Sequence, residues 1–433
     1  VFKTFASAWK LPDIRKKIMY TLIVLLIYRV GCIVPVPFIN SAALSEWFSS
    51  AEVGTSVLQY FYTIAGDSFS KATLFALSVS PYITASIVIQ LLTIAIPALE
   101  RISKEEDGKE KLEKITKYVT VALSLIMSYG YYATINARGF VENPGFFSCI
   151  VIMACQCAGA AIIMWLAELI NENGFGQGVS MILFVNIVSA LPTMATAFVG
   201  QLSLNVWLTI IAFAAIIIFA VAIIVFVVFM TNSERRIPVQ YAKRVVGRKM
   251  YGGQSTFLPI KLNMSGVMPI IFASTIASLP ATLQLFFPNL KEGSFWAGFF
   301  NIFGYGSWLY AIVLFVLIVA FSYFYLAITF NPVEVANNLK KNGGFIPGYR
   351  PGKPTSDFIA NSLKKITLIG GFFLGIIAIV PLIINAVTRI FGISFGALSF
   401  GGTSLLIVVS VVLETVRDLE AQITMRHYKG FLE

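Results

Sequence analysis

The sequence predicts an all-α polytopic membrane protein with ten transmembrane helices, and three observations carry that reading. The first is composition: of 433 residues, 57% are hydrophobic and 12% charged, whereas a soluble domain carries about 25% charged residues. The second is a series of ten apolar runs, each close to the ~20 residues that a helix needs to cross a bilayer core. The third is the distribution of positive charge, which gathers on one side of those runs. No long stretch lacks an apolar run, which leaves no room for a separate soluble domain.

The first run covers 18–34. Arg29 interrupts it and no small-residue cleavage site follows, so it is read as a span and not as a cleaved leader. Residues 35–73 then form a long outer connection whose 57–64 part is apolar and is followed by Gly66-Asp67-Ser68. Such a connection is either plain surface structure or a short helix folding back toward the membrane centre, which is tolerated only where it lines or fills a cavity. The second run, 74–96, is broken by Pro81, with Gly66 and Asp67 marking the bend before it. The third and fourth, 118–137 and 149–170, are joined outside. The fifth and sixth, 179–198 and 206–230, meet at a short outer turn, and the remaining runs cover 266–287, 308–330, 366–386 and 402–416.

Sidedness follows from the basic residues. With the N-terminus inside, 27 of the 32 Lys and Arg fall on the inner segments; Lys71, Arg138, Lys291 and Arg389 lie outside, and Arg29 lies within the first run. Both termini are therefore expected to be cytoplasmic. The inner turn at 101–117 is balanced by acidic residues and reads as a solvated helical hairpin end. The loop 231–262 is not balanced: Arg235, Arg236, Lys243, Arg244, Arg248, Lys249 and Lys261 face only Glu234. Nor is 331–361, with Lys340, Lys341, Arg350 and Lys353 against Glu334 and Asp357. Topology and anionic lipid account for basic inner loops in general. Two loops this long exceed what a helix connection needs, so at least one is expected to dock a cytoplasmic partner.

Several chemistries are excluded. The single histidine, His427, lies near the C-terminus, so catalytic triads and HExxH zinc sites have no components. Cys32, Cys149, Cys155 and Cys157 lack CxxC spacing, and Cys155 and Cys157 leave different helical faces, which makes them packing residues. No catalytic residue, metal or cofactor is expected. Gly348-Tyr-Arg-Pro-Gly352-Lys353-Pro354-Thr355 misses phosphate-loop spacing by one residue, and Pro354 has no amide to donate. Gly174-Phe-Gly176-Gln-Gly178 has neither dinucleotide spacing nor a preceding strand. Asn263-Met-Ser265 fits the glycosylation triplet but falls on the inner side. A proton- or cation-coupled transporter is disfavoured because Arg29, Glu168, Glu414 and Arg417 all lie toward the ends of their runs, where they can snorkel or pair.

Several blocks together resemble one family. Ala76-Leu-Ser-Val-Ser-Pro81-Tyr-Ile-Thr-Ala-Ser-Ile-Val-Ile-Gln90-Leu-Leu is similar to the second-span signature of the SecY family, the central subunits of bacterial protein-conducting channels. Arg235-Arg-Ile-Pro-Val-Gln-Tyr-Ala-Lys-Arg, Gln254-Ser-Thr-Phe-Leu-Pro-Ile-Lys-Leu-Asn-Met-Ser-Gly, Asn331-Pro, Asn338-Leu-Lys-Lys, Gly348-Tyr-Arg-Pro-Gly and Gly401-Gly-Thr-Ser-Leu-Leu-Ile-Val-Val follow in family order. Ser78 departs from the signature, which usually has glycine there. The resemblance implies two pseudo-symmetric inverted halves of five helices, 1–204 and 205–433, hinged between the fifth and sixth spans; no sequence symmetry between the halves is visible.

The resemblance also implies roles. An apolar pore ring falls on Val79, Ile83, Val179, Leu183, Ile271 and Ile407, and such a constriction opposes ions by dewetting. A re-entrant plug helix falls on about 56–72, including Phe61, Gly66 and Asp67. The second and third spans with the seventh and eighth imply a lateral gate for signal sequences, with Thr84 and Gln90 as polar candidates on that path; hydrogen bonding between helices accounts for these two equally well. The basic loops match those that receive the SecA motor or a translating ribosome, with Arg350 at a Gly/Pro-bounded tip suited to an acidic partner. The implied function is a bacterial inner-membrane channel that passes nascent polypeptides across the bilayer or releases them sideways. Small SecE- and SecG-type membrane subunits are its implied companions.

Overall fold

Among the described residues, proline stands within the first two helical positions of seven helices, at Pro12, Pro81, Pro97, Pro269, Pro280, Pro332 and Pro354. There its missing N–H is an orphan in any case and its fixed φ suits the first turn. The computed structural model describes residues 9–49, 65–105, 107–201, 206–241, 244–246, 249–251, 255–264, 266–284, 286, 295–302, 304, 307–390 and 402–429. The first half carries α1 (Pro12–Gly31), α2 (Ser41–Ser49), α3 (Asp67–Ser70), α4 (Ser80–Ala95), α5 (Pro97–Ser103), α6 (Gly108–Ala137), α7 (Phe146–Asn173) and α8 (Gly178–Gln201). Next come α9 (Val206–Asn232), strands β1 (Glu234–Tyr241), β2 (Arg244–Val246), β3 (Lys249–Tyr251) and β4 (Ser255–Lys261), then α10 (Met268–Ala277) and α11 (Leu279–Gln284). The chain continues through α12 (Phe295–Ile302), α13 (Trp308–Thr329), α14 (Pro332–Lys341), β5 (Gly344–Phe345), α15 (Lys353–Ile390) and α16 (Gly402–Lys429).

Helix falls on each of the ten apolar runs. Among the described residues, the segments Gly108–Ala137, Phe146–Asn173, Trp308–Lys341 and Lys353–Val380 are long and apolar enough to cross a bilayer. A fifth joins them if α4 and α5, bent by 105° where they meet, count as one span.

The chain is mostly helical, but the all-α expectation is corrected at the inner loops. β1 pairs antiparallel with β4 from Glu234↔Lys261 to Gln240↔Ser255, and at its far end with β5 through Gln240↔Phe345 and Tyr241↔Gly344. Ile237 and Val239 alternate inward with Pro238 and Gln240 outward, the period of a half-buried strand. β2 and β3 form a separate hairpin. Two boundaries also change. The second run does not begin its helix at Leu74: residues 71–79 turn, and Pro81 opens the helix where a break within it was expected. The ninth helix starts thirteen residues before its apolar run and extends over 38 residues, because its first turns are polar and hydropathy does not see them.

Three buried apolar clusters organise the molecule. The central one joins α1, α4, α7, α8, α9, α10, α13, α15 and α16. A second holds Val36, Leu44, Phe69, Met127, Tyr131 and Ile152, joining the connection after α1 to α6 and α7. A third lies under the sheet, where Ile237, Val239 and Ile260 meet Leu326, Ile346, Ile359 and Leu363. Close approach at the centre depends on Gly159: a Cβ there would sit 2.0 Å from the Leu74 carbonyl oxygen.

Candidate functional site

α4 and α10 both begin deep in the central cluster, and they pack against each other. Val79 caps α4, and its carbonyl accepts the amide of Ile83 at 3.0 Å. Val267 caps α10 and accepts from Ile271 at 3.2 Å. The central cluster also contains all six sequence-predicted ring residues. Val79, Ile83, Val179, Leu183, Ile271 and Ile407 are each at most 9% exposed and share that one cluster, delivered by α4, α8, α10 and α16. The i, i+4 pairs on α4 and α8 place two side chains per helix on one face. Such a convergence of branched apolar groups offers water no partner and ions no ligand.

Next to the apolar residues runs a fully buried polar chain. The Tyr28 hydroxyl donates to Asn186 Oδ1 at 2.7 Å, and Asn186 Nδ2 donates to Ser78 Oγ at 2.9 Å. All three residues are at most 1% exposed. Ser78 adopts φ 50°, in the left-handed region that glycine enters freely and serine at a cost. Tyr28 also stacks on Phe75 with ring centroids 5.4 Å apart. Sequence reasoning flagged Ser78 only as a departure from the signature and missed Tyr28 and Asn186; lone polar side chains inside apolar runs were the available signal.

Of the expected plug, residues 56–64, Phe61 included, lie outside the described residues. The described part turns at Gly66 (φ 63°) into α3, where Asp67 pairs with Lys71 at 3.5 Å. A Cβ on Gly66 would lie 3.4 Å from the Asn186 carbonyl oxygen, so this turn abuts α8 one helical turn from Leu183. Outward, the Tyr131 hydroxyl donates to the Phe69 carbonyl at 2.8 Å and the two rings meet at 5.0 Å.

Along one seam, α4 meets α10 and α6 meets α11, with Tyr129 and Phe286 rings 6.3 Å apart. Thr84 and Gln90 are half-buried and bond within their own helix. The Thr84 hydroxyl donates to the Ser80 carbonyl at 2.9 Å, and Gln90 Nε2 donates to Ser86 Oγ at 3.2 Å. Neither bond crosses the seam.

The sheet brings the two basic loops together through β1 and β5. Arg235 and Arg236 are exposed on β1, Arg236 pairing with Glu234 at 2.8 Å. Arg244 and Lys249 begin β2 and β3, whereas Lys243 and Arg248 lie outside the described residues. Lys340 and Lys341 occupy the last turn of α14, where cations suit the helix dipole. Arg350 is exposed on a fixed tip: its carbonyl accepts from the Thr355 hydroxyl at 2.8 Å, and Tyr349 lies against Phe358 at 4.2 Å between centroids. By contrast, the turn between α5 and α6 neutralises itself through Lys104–Glu100, Lys114–Glu110 and Lys117–Glu168 pairs of 2.7–2.8 Å.

Comparison with known proteins agrees with this geometry. The profile of the SecY family matches residues 73–416. A protein translocase subunit SecY of Streptomyces coelicolor is 40% identical over 445 aligned positions, covering 99% of both chains. Among solved structures, one described as a protein conducting channel superposes with a TM-score of 0.66 at 18% identity, over 94% of this chain and 92% of that one. The Sec61 chain of a canine ribosome–channel complex from the endoplasmic reticulum superposes with a TM-score of 0.63 at 17% identity, over 94% and 92%.

Proposed function

The chain belongs to the SecY family of multi-pass channel subunits, which are not enzymes, and from that premise we propose that it conducts unfolded polypeptides across the cytoplasmic membrane of a bacterium and releases transmembrane segments laterally into lipid. The observation that supports this is the burial of Val79, Ile83, Val179, Leu183, Ile271 and Ile407 in the central cluster, where α4 and α10 begin and pack on each other. In this reading the ten apolar helices cross the bilayer as two inverted halves, 1–204 and 205–433, with both termini inside. The six side chains close the pore at rest, and about 56–72 forms the plug, with Phe61 toward the ring and Gly66 and Asp67 at the turn beside it. The seam of α4 and α6 with α10, α11 and α13 is the lateral gate, with Thr84 and Gln90 along it. Because both bond locally, the seam can part without leaving a hydroxyl or amide unpaired.

The sheet and the Arg350 tip supply the docking face for a SecA-type motor or a translating ribosome. Small SecE- and SecG-type subunits brace the helices in lipid. The chain has no nucleotide-binding motif of its own, so work must come from those partners. Contacts to ribosomal RNA would weaken steeply with salt, since they exchange condensed counterions for Lys and Arg.

Purified channel reconstituted with its companions in vesicles tests the reading. Wild-type vesicles should hold an ion gradient and admit a signal-bearing polypeptide only with motor and ATP. Ile407→Asn should let ions through at rest. Unchanged conductance for Ile407→Asn, together with no polypeptide uptake by the wild type, would overturn the assignment.

A further inference from the structure

The apolar ring does not stand alone at the centre: the polar chain Tyr28–Asn186–Ser78 runs beside it and ties together three elements that carry or support it. Ser78 directly precedes Val79, Asn186 lies between Leu183 and Ile187, and Tyr28 belongs to α1, which packs on α7 and α8. The Asn186 carbonyl also faces the Gly66 turn. Both bonds are dry and short, with no water-exposed alternative for the amide or the hydroxyls. Such bonds are retained because breaking them without replacement strands a buried polar group. Ser78 holds φ 50° while it accepts from Asn186, so a strained backbone and a hydrogen bond oppose each other at one residue.

Resting on the channel reading above, we propose that Ser78 is a positioning residue that sets how readily the pore ring opens, and hence how stringently signal sequences are selected, through its bond from Asn186. While the ring is dry, the chain holds α1, α8 and the turn before α4 in register and keeps Val79 and Leu183 apposed. When the ring wets, water offers Asn186 and Ser78 other partners, and the left-handed turn at Ser78 is free to relax. Serine at this position therefore makes the closed state conditional on dryness, where glycine would leave it indifferent.

The test compares three substitutions in the reconstituted complex, reading resting ion conductance and uptake of a polypeptide with a defective signal sequence. Ser78→Ala removes the acceptor but keeps the strained backbone, and should raise both readouts about five-fold, the population shift expected from losing one hydrogen bond of ordinary net worth. Ser78→Gly loses the bond but also the strain, and should stay within about two-fold of wild type. Tyr28→Phe preserves the ring stack and removes the hydroxyl with its bond to Asn186 while leaving the bond from Asn186 to Ser78 in place, so it should leak about two- to three-fold more and decides the matter if Ser78→Ala does not assemble. Equal leak from Ser78→Ala and Ser78→Gly, or none from Ser78→Ala and Tyr28→Phe, overturns the proposal. A lowered melting temperature with wild-type conductance and stringency does the same, since it marks a purely structural role. Ile407→Asn serves as reference: if it leaks while the polar-chain variants do not, the channel reading stands and this one fails.

Discussion

The two helices that begin at the centre of the molecule start alike and are held differently. Val79-x-Pro81-x-Ile83-x-Ala85-Ser86 at the start of α4 recurs as Val267-x-Pro269-x-Ile271-x-Ala273-Ser274 at the start of α10, 188 residues later. In each, a residue at positive φ precedes the capping valine: Ser78 at 50° and Gly266 at 64°. The difference lies in what fixes that residue. Ser78 is bonded from Asn186, 108 residues away on another helix, whereas the Gly266 carbonyl accepts from Asn263 Nδ2, three residues back in its own loop. The first start is thus tied to the body of its half, and the second to the loop that follows β4. A partner holding the basic sheet reaches the start of α10 through a short chain segment, but reaches the start of α4 only through packing.

Paired substitutions can break or sharpen this comparison. The largest effect should come from Ile83→Ala and Ile271→Ala, each removing a buried side chain at an equivalent site. Each should cost about 2–5 kcal/mol of stability in detergent by denaturant titration. A cost at only one position would mean that the two starts are not equivalent. Next, Gly266→Ala should cost roughly 1–2 kcal/mol from backbone strain alone, because its nearest atoms, the Glu414 carboxylate oxygens, leave room at 3.8 Å for a methyl group. Ser78→Gly should shift stability by less than about 1 kcal/mol, since strain relief offsets the lost bond. Smallest in stability is a pair of exposed charge reversals, compared by their effect on translocation. Glu110→Lys, in the self-paired turn of the first half, should change motor-driven translocation by less than about two-fold, as exposed ion pairs are weak. Arg350→Glu should depress it strongly. A reversed order would move the docking face to the first half.

What the sequence made legible follows from which interactions are local. Hydropathy located every helix that the centre uses, because that signal sits on the helix it marks; the start of α4 was misplaced, since Pro81 was read as a break within its run and not as the opening of the helix. The Val-x-Pro-x-Ile-x-Ala-Ser repeat was present in the sequence but passed unnoticed, since five identities emerge only once both helix starts are fixed in register. The sheet was missed for a different reason. β5 is two residues long and pairs with a strand about 100 positions earlier, and no periodicity can announce such a pairing. The bond from Asn186 to Ser78 is equally non-local. The six ring positions came from family resemblance; the side chains themselves are ordinary packing residues that burial alone does not distinguish from their neighbours.

The polar start of α15 carries a mechanical consequence. The helix runs unbroken for 38 residues from Lys353, about 57 Å at 1.5 Å per residue, more than the thickness of a hydrocarbon core. Its first turns are clamped to the Arg350 tip by Thr355 and by the Tyr349–Phe358 stack. A pull on that tip is therefore delivered to one end of a long unbroken helix. α15 also lies against α13 and α16 along its length. A displacement of that tip therefore has a continuous packed route, through α15, to the helix that bears Ile407.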